Sequence, residues 1–416
     1  MNAEVLSIGD ELLIGQVINT NQAYIAEKLN SVGIPVTRMI TVGDQPGEML
    51  AAFQFAWQHF DLVAVTGGLG PTHDDLTRSV VCEFFRTDLV RDEAALENIK
   101  KLFKARGLPM TRVNEDQAMV PKGCAVMQNA HGTAPGYFFE QQGKIMIIMP
   151  GVPYEMTAMM EDFVLPHLSK IANRQVIRHR TLKTTGIAES MLSELIGDVS
   201  QLFLPNQGIT LAYLPSPLGV RLRISVRTHS AEHAGHMIEE VEEKIRAKAK
   251  KYIYAVDQED LEDVVGRILT ERGLNIAVAE SCTGGHIADR LTNVSGSSAY
   301  FERGFVVYSN ASKSAELGVS ESLIKEHGAV SREVAEAMAE AARTVAKTDI
   351  GLSTTGIAGP AGGTPAKPVG LVWVGYSDKK QTIALRFHYP TERRRFKDRT
   401  AQAALEVLRR KLLTPE

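Results

Sequence analysis

Two short apolar strands that each run straight into a glycine-rich turn constrain this chain more than any other feature. Leu62–Val65 enters Thr66-Gly67-Gly68-Leu69-Gly70-Pro71-Thr72-His73-Asp74-Asp75, and Asn275–Ala279 enters Glu280-Ser281-Cys282-Thr283-Gly284-Gly285. A strand, a turn nearly bare of side chains and then a helix is the repeating step of α/β sheets, whose ligands sit at the carboxyl ends of the strands. At 416 residues the chain is too long for one ordinary core, and about two to four domains are expected.

Around the first turn the alternation is regular. Strand Val5–Ile8 leads to Gly9-Asp10. A helix follows Asn19-Thr20 with Tyr24, Ile25, Lys28 and Leu29 at helical spacing, and then come strand Val36–Val42 and a helix near Glu48–His59. This pattern predicts a doubly wound α/β domain over residues 1–168. Residues 169–252 read as a small α+β module, because Val220, Leu222, Ile224 and Val226 alternate as in a strand and a charged helix follows from Ala231 to Lys251. Tyr252–Glu262 is expected to connect to a third domain, again α/β, over residues 253–416. There a helix at Asp260–Glu271 precedes strand Asn275–Ala279. A later helix is capped by Ser331 and carries a core stripe of Ala335, Met338, Ala342 and Val345.

Composition narrows the function classes. Hydrophobic residues at 44% and charged residues at 23% describe globular domains with sizeable cores. A net charge of −3 gives no whole-chain case for binding nucleic acid or anionic membrane, and the basic runs Arg393–Arg395 and Arg409–Lys411 read as solvated helix faces. Cys82, Cys124 and Cys282 are few, odd in number and far apart, which suits a reducing compartment and excludes a disulfide framework or thiolate zinc cage. No secretory signal pattern follows Met1, and no stretch of about 18 apolar residues could span a bilayer. The expected location is cytoplasmic, with no membrane partner.

Each turn carries chemistry. The amides of the Thr66–Asp75 run can cradle phosphate, and Asp74 and Asp75 beside a phosphate need a hard cation such as Mg²⁺ between them. With Asp10 and Glu11 nearby, this suggests a metal-assisted nucleotide site; the alternative is a plain strand-to-helix turn. At the second turn Ser281 falls where a helix should begin, and amides at a helix start favour developing negative charge. Ser281 could also be only a helix cap. Cys282 and His286, four residues apart, could form a thiolate–imidazolium pair, although a buried structural cysteine is the simpler reading.

The motifs Gly9-Asp10-Glu11-Leu12-Leu13, Thr66–Asp75, Gly132-Thr133-Ala134-Pro135-Gly136 and Pro150-Gly151-Val152-Pro153-Tyr154-Glu155-Met156 resemble those of the competence/damage-inducible CinA family. That family's first domain is related to molybdopterin-biosynthesis domains. Asn129-Ala130-His131 departs from the family, where a proline follows the asparagine. The resemblance implies a divalent-metal-dependent pyrophosphatase acting on ADP-ribose, with Asp10, Asp74 and Asp75 as metal or phosphate ligands and Gly67, Gly68, Gly70 and Thr72 as substrate contacts. A molybdopterin-type nucleotidyl transferase is the alternative. The middle module resembles the family's KH-like domain but has no G-x-x-G spacing, so nucleic-acid binding is not expected there. A spacer or homodimerisation role is expected instead.

In the third domain Ala279–Gly285, Gly296-Ser297-Ser298, Tyr308–Lys313, Thr354–Pro360 and Lys367–Gly370 together resemble the family's nicotinamide-nucleotide amidase domain. The resemblance implies hydrolysis of nicotinamide mononucleotide to nicotinate mononucleotide and ammonia without a cofactor. It points to Ser281 as nucleophile, Lys313 as base and Tyr308 as proton relay, with Ser298, Thr355, Gly356 and Arg393 on the substrate. No histidine stands in an obvious triad position, and Tyr308 could instead be a core residue. A non-catalytic adaptor in DNA uptake or recombination is the competing reading from another class. The near-neutral charge and the Ser281/Lys313 pair argue against it.

Overall fold

The computed structural model describes residues 1–70, 72, 76–171, 176–205 and 207–413. Among them the chain divides into two compact units, Met1–Arg178 with Val226–His236 and His179–Ser225 with Met237–Glu416.

In the first unit a six-stranded sheet is ordered Val36–Val42, Ala3–Ile8, Leu62–Thr66, Lys144–Met149, Gly136–Gln141, Ala125–Met127. Its first four strands are mutually parallel, and the last two extend it antiparallel. Ala3–Ile8 and Leu62–Thr66 are buried along their whole length, as strands covered on both faces are; Leu62–Thr66 is apolar up to its last residue, whereas Ala3–Ile8 also buries Glu4 and Ser7. One face is covered by helices Thr20–Ser31 and Pro153–Met159, through Ile25, Leu29 and Met156. The other carries helices Pro46–His59 and Thr77–Phe85, through Met49, Phe53, Val80 and Val81. The domain is therefore doubly wound as expected, but on a mixed sheet. Local signals set the helix starts: Asn19 Oδ1 accepts from the Gln22 amide at 3.1 Å, and Pro46 occupies a first-turn position, where its missing N–H costs nothing.

The middle segment forms a four-stranded sheet ordered Ile209–Ser216, Gly219–Thr228, Val176–Thr184, Ile253–Val256. The last strand corrects the reading of Tyr252–Glu262 as a connection. Ile253–Val256 pairs antiparallel with Val176–Thr184 and closes the sheet's edge. Four residues are too short to carry a period on their own, which is why the pattern did not reveal the strand.

The C-terminal part is a five-stranded sheet ordered Phe301–Val306, Ile276–Glu280, Ile350–Gly356, Leu371–Ser377, Thr382–His388, the first three strands parallel and the rest antiparallel. Helices Leu261–Arg272 and Arg393–Leu413 pack on one face, and helix Arg332–Ala346 on the other. Ser331 Oγ accepts from the Val334 amide at 3.3 Å, the expected cap. Ala335, Met338 and Ala342 are buried, but Val345 is 44% exposed and leaves the expected stripe, because the helix ends one residue later, at Ala346.

Candidate active site

The carboxyl ends of the three parallel C-terminal strands lie side by side, since Glu280 is in register with Val306 and Thr354. Ser281, Val307-Tyr308 and Thr355-Gly356 therefore meet at one edge of the sheet. The Ser281 amide donates to the Thr354 carbonyl at 3.0 Å, and Thr283 Oγ1 shares a 2.7 Å hydrogen bond with Thr354 Oγ1, so the turn is pinned to the neighbouring strand. Gly284 and Gly285 have φ of 58° and 92°, left-handed values that glycine adopts without a Cβ penalty.

A helix was expected to begin at Ser281, with its amides open to a developing anion. It begins instead at His286, and its first amides are occupied. Glu280 Oε2 accepts from Gly285 and Ile287 at 3.0 and 3.1 Å, and Oε1 from Ala288 at 2.8 Å. Glu280 is 1% exposed, so one buried carboxylate both caps the helix and folds the turn back over its own strand. The amides of the turn that donate to no other described residue are those of Cys282 and Thr283. Sequence reasoning passed over Glu280. The available signal was a carboxylate directly between an apolar strand and a Gly-Gly turn.

Lys313 reaches Ser281 from the next crossover. Ser309 and Ser312 form a reciprocal cap that starts helix Asn310–Leu317, with Lys313 on its first turn. Lys313 Nζ donates to Ser281 Oγ at 3.0 Å, to the Val307 carbonyl at 3.0 Å and to the Tyr308 carbonyl at 3.4 Å. Ser281 and Lys313 are buried, and no carboxylate pairs with the lysine among the described residues. Burial, the dominant effect, holds its pKa below the ordinary lysine value, with the neighbouring Cys282 acting weakly in the opposite direction.

The other expected residues divide into two groups. Tyr308 is exposed and its hydroxyl bonds to Arg393 Nη2, whose Nη1 donates to the Gly359 carbonyl at 3.2 Å; Tyr308 reaches Lys313 through its carbonyl. Thr355 is buried and its hydroxyl donates to the Ala329 carbonyl at 2.7 Å, while Gly356 ends the same strand. Ser298 is not brought to this edge. It is an exposed residue in the turn Ser297–Ala299, ahead of strand Phe301–Val306, whose register with Ile276–Glu280 places it at the amino end of the sheet. That is about 15–20 Å from Ser281 along the strands. The Cys282–His286 pair does not form: His286 Nε2 lies 3.1 Å from Asp398 Oδ1, and burial pushes the Cys282 thiol up to about 12.

In the first unit, Gly67, Gly68 and Gly70 line a cavity of about 330 Å³ with Glu11, Gly151 and Glu155. A Cβ at Gly67 would stand 2.1 Å from the Ile8 carbonyl oxygen, so a bare backbone is required there. Asp10 is turned to Asp44, each accepting the other's amide, at 2.9 and 3.2 Å. Thr72 is exposed, and Asp74 and Asp75 lie outside the described residues. Among the described residues no three His, Cys, Asp or Glu side chains converge to hold a metal ion, so these residues alone do not make the expected metal site. Glu155 is a buried carboxylate that sequence reasoning left without a role. Asn129 Nδ2 donates to it at 2.7 Å, while Asn129 Oδ1 accepts from the amides of His131 and Gly132 at 3.1 and 2.8 Å. The asparagine side chain thus shapes its loop without the following proline.

Comparison with known proteins follows the same division. Residues 4–170 match the "Probable molybdopterin binding domain" family, 179–255 the damage-inducible protein CinA KH domain, and 258–412 the CinA C-terminal domain. A CinA-like protein of Chloroherpeton thalassium is 45% identical over 98% of this chain and 99% of its own length. One of Salinibacter ruber is 44% identical over 99% and 100%. A crystal structure of CinA from Thermoplasma acidophilum, described as of unknown function, is 39% identical over 39% of this chain and 95% of its own, with a TM-score of 0.37. With relatives this similar along its whole length, the chain belongs to the CinA family of competence- and damage-inducible proteins.

Proposed function

We propose that the C-terminal domain is an amidohydrolase that converts nicotinamide mononucleotide and water to nicotinate mononucleotide and ammonia. The observation that carries this reading is the buried 3.0 Å hydrogen bond between Lys313 Nζ and Ser281 Oγ. With its pKa lowered by burial, Lys313 can be neutral and take the serine proton as Oγ attacks the carboxamide carbon. The tetrahedral oxyanion is received by the Cys282 and Thr283 amides. Collapse expels ammonia, which carries the proton returned by Lys313. Water then attacks the acyl-serine with Lys313 again as base, releasing the carboxylate and restoring Ser281.

Arg393, turned to Tyr308, supplies a cation for the substrate phosphate. In this arrangement the Tyr308 hydroxyl orients Arg393. Ser298 can reach substrate at this edge only from a second copy of the chain, which gives homodimerisation a catalytic reason. The deciding assay is ammonia release from nicotinamide mononucleotide by the full chain and by Ser281→Ala. No release by the unmodified protein removes the reading.

In the same reading the first domain hydrolyses ADP-ribose with a divalent ion. Its support is the glycine-lined cavity, whose open backbone suits a diphosphate. The ion would neutralise phosphate charge, with Asp74 and Asp75 as its holders. Glu155, buried at the cavity wall, would accept a proton there.

A further inference from the structure

The second unit holds another cavity, of about 710 Å³, that the amidase chemistry does not use. It is enclosed by Thr185–Ala188 and Leu218 of the middle segment, the edge strand Thr382–His388 with Tyr389, and helix Arg393–Leu413. Two kinds of surface meet in it. Leu385, Phe387 and Tyr389 stand at alternate positions and so share a face, with the Phe387 and Tyr389 rings inclined by only 17° and their centroids 6.0 Å apart. Around this apolar wall stand Arg386, Arg399, Arg410 and Lys411.

Two of these cations are engaged: Arg410 is paired with Glu406, and Lys411 Nζ donates to Gln381 Oε1 at 3.0 Å. Glu406 is the one carboxylate among the described lining residues, and it is buried and already held by Arg409 Nε at 2.7 Å and Arg410 Nε at 2.6 Å. Arg386 has no ion pair among the described residues. Arg399 donates Nε to the Pro217 carbonyl at 3.2 Å and lies 5.7 Å from the centre of the Tyr389 ring, which leaves its two terminal nitrogens without acceptors among the described residues.

We propose that this cavity binds a nucleoside phosphate, with the ring system against the Leu385–Tyr389 face and the phosphate at the Arg399 guanidinium. The volume falls within the range of about 300–1,000 Å³ common to small-molecule sites. Guanidinium groups match phosphate oxygens in geometry as well as charge, and aromatic faces accept any base. An inorganic anion would leave the apolar wall bare, and an uncharged ring would leave the terminal nitrogens of Arg399 without acceptors among the described residues. The occupant would also touch the helix whose first residue, Arg393, bonds to Tyr308 at the Ser281 edge.

The test is equilibrium dialysis of the full chain against radiolabelled adenosine 5′-monophosphate, comparing the unmodified protein with Arg399→Ala and Leu385→Glu. Both side chains are exposed, so thermal melts should coincide, and Leu385→Glu is an independent check should Arg399→Ala fold poorly. Each variant should weaken one class of site by about tenfold or more, and inorganic phosphate should displace the nucleotide only at concentrations at least about tenfold higher. Unchanged binding in both variants overturns the site. Displacement by phosphate as effective as by unlabelled nucleotide overturns the ring-binding half of the proposal.

Discussion

Lys313 Nζ lies 3.0 Å from Ser281 Oγ, and its other two hydrogen-bond partners are the backbone carbonyls of Val307 and Tyr308. A neutral amine has two N–H donors and one lone pair. Two carbonyls and one hydroxyl also satisfy the three N–H donors of the ammonium, so burial, and not the partner set, is what favours the uncharged lysine; once neutral, its lone pair can face Ser281 Oγ. Ser281→Ala and Lys313→Gln should each lower kcat for ammonia release by about 10³-fold or more, and the double variant should lose little beyond either, because the pair acts as one unit. Cys282→Ala should keep most activity, and iodoacetamide should scarcely change the rate, since the thiol is buried and its pKa is raised to about 12. An inactive Cys282→Ala beside an active Ser281→Ala would falsify the serine mechanism.

The depressed pKa of Lys313 fixes the sign of two pH dependences. Activity should rise with pH as Lys313 loses its proton, with a midpoint below the ordinary lysine value of about 10.4. Stability should move the same way. Between the folded and unfolded pKa values the unfolded chain holds the extra proton, so this group's contribution is fully present above the unfolded value and is lost as pH falls through the folded one. Melting curves of the unmodified protein and Lys313→Gln across that window should converge at the low-pH end or cross in favour of the variant. A gap independent of pH would show that Lys313 stays charged.

Glu280 supports the turn without touching substrate. Glu280→Ala removes three acceptor contacts from helix-start amides, one of them buried and two part-buried, and should destabilise the domain by about 2–4 kcal/mol in urea unfolding, whereas Glu280→Gln, which keeps one acceptor oxygen, should cost less than half of that. If the carboxylate serves only to cap, kcat in the folded Gln variant should stay within about tenfold of normal.

Ser298 offers a test of shared sites. If it serves substrate from a second copy, Ser298→Ala and Ser281→Ala proteins should each be nearly inactive. Mixing them after subunit exchange should restore about a quarter of the sites, since half the dimers are hybrids and each hybrid has one intact site. No recovery from two inactive variants, with exchange verified by mass, would remove Ser298 from the site.

For the first domain, Asp74→Ala or Asp75→Ala should remove most of the ADP-ribose cleavage, and added Mg²⁺ should restore activity lost to a chelator. Glu155→Gln, isosteric with its partner Asn129 in place, should lower the rate by about 10²-fold without loss of fold if the carboxylate takes a proton. Undiminished cleavage in the chelator would exclude the divalent ion.

Much of the architecture was legible because its causes are local. The apolar runs of Val36–Val42 and Leu62–Val65, the caps at Asn19 and Ser331 and the proline at residue 46 act within one or two turns of chain. The family motifs likewise singled out Ser281 and Lys313 as a pair, although no periodicity connects them. Local patterns failed where neighbours decide. Ile253–Val256 is a strand because Val176–Thr184 offers it an edge, and Val345 is exposed because its helix ends beside it.

The amino-acid sequence by itself determined the strand-and-turn elements, the glycine positions and the inventory of reactive groups, since each follows from side-chain type and spacing. Only the tertiary structure decided their chemical state. The parallel register of three strands brings Lys313 to Ser281 across 32 residues and strips its ammonium of water. The same packing lets Glu280 take the helix amides and turns Tyr308 toward Arg393. Desolvation and competition for hydrogen-bond partners depend on groups distant in the chain, and those appear only when the sheet is assembled.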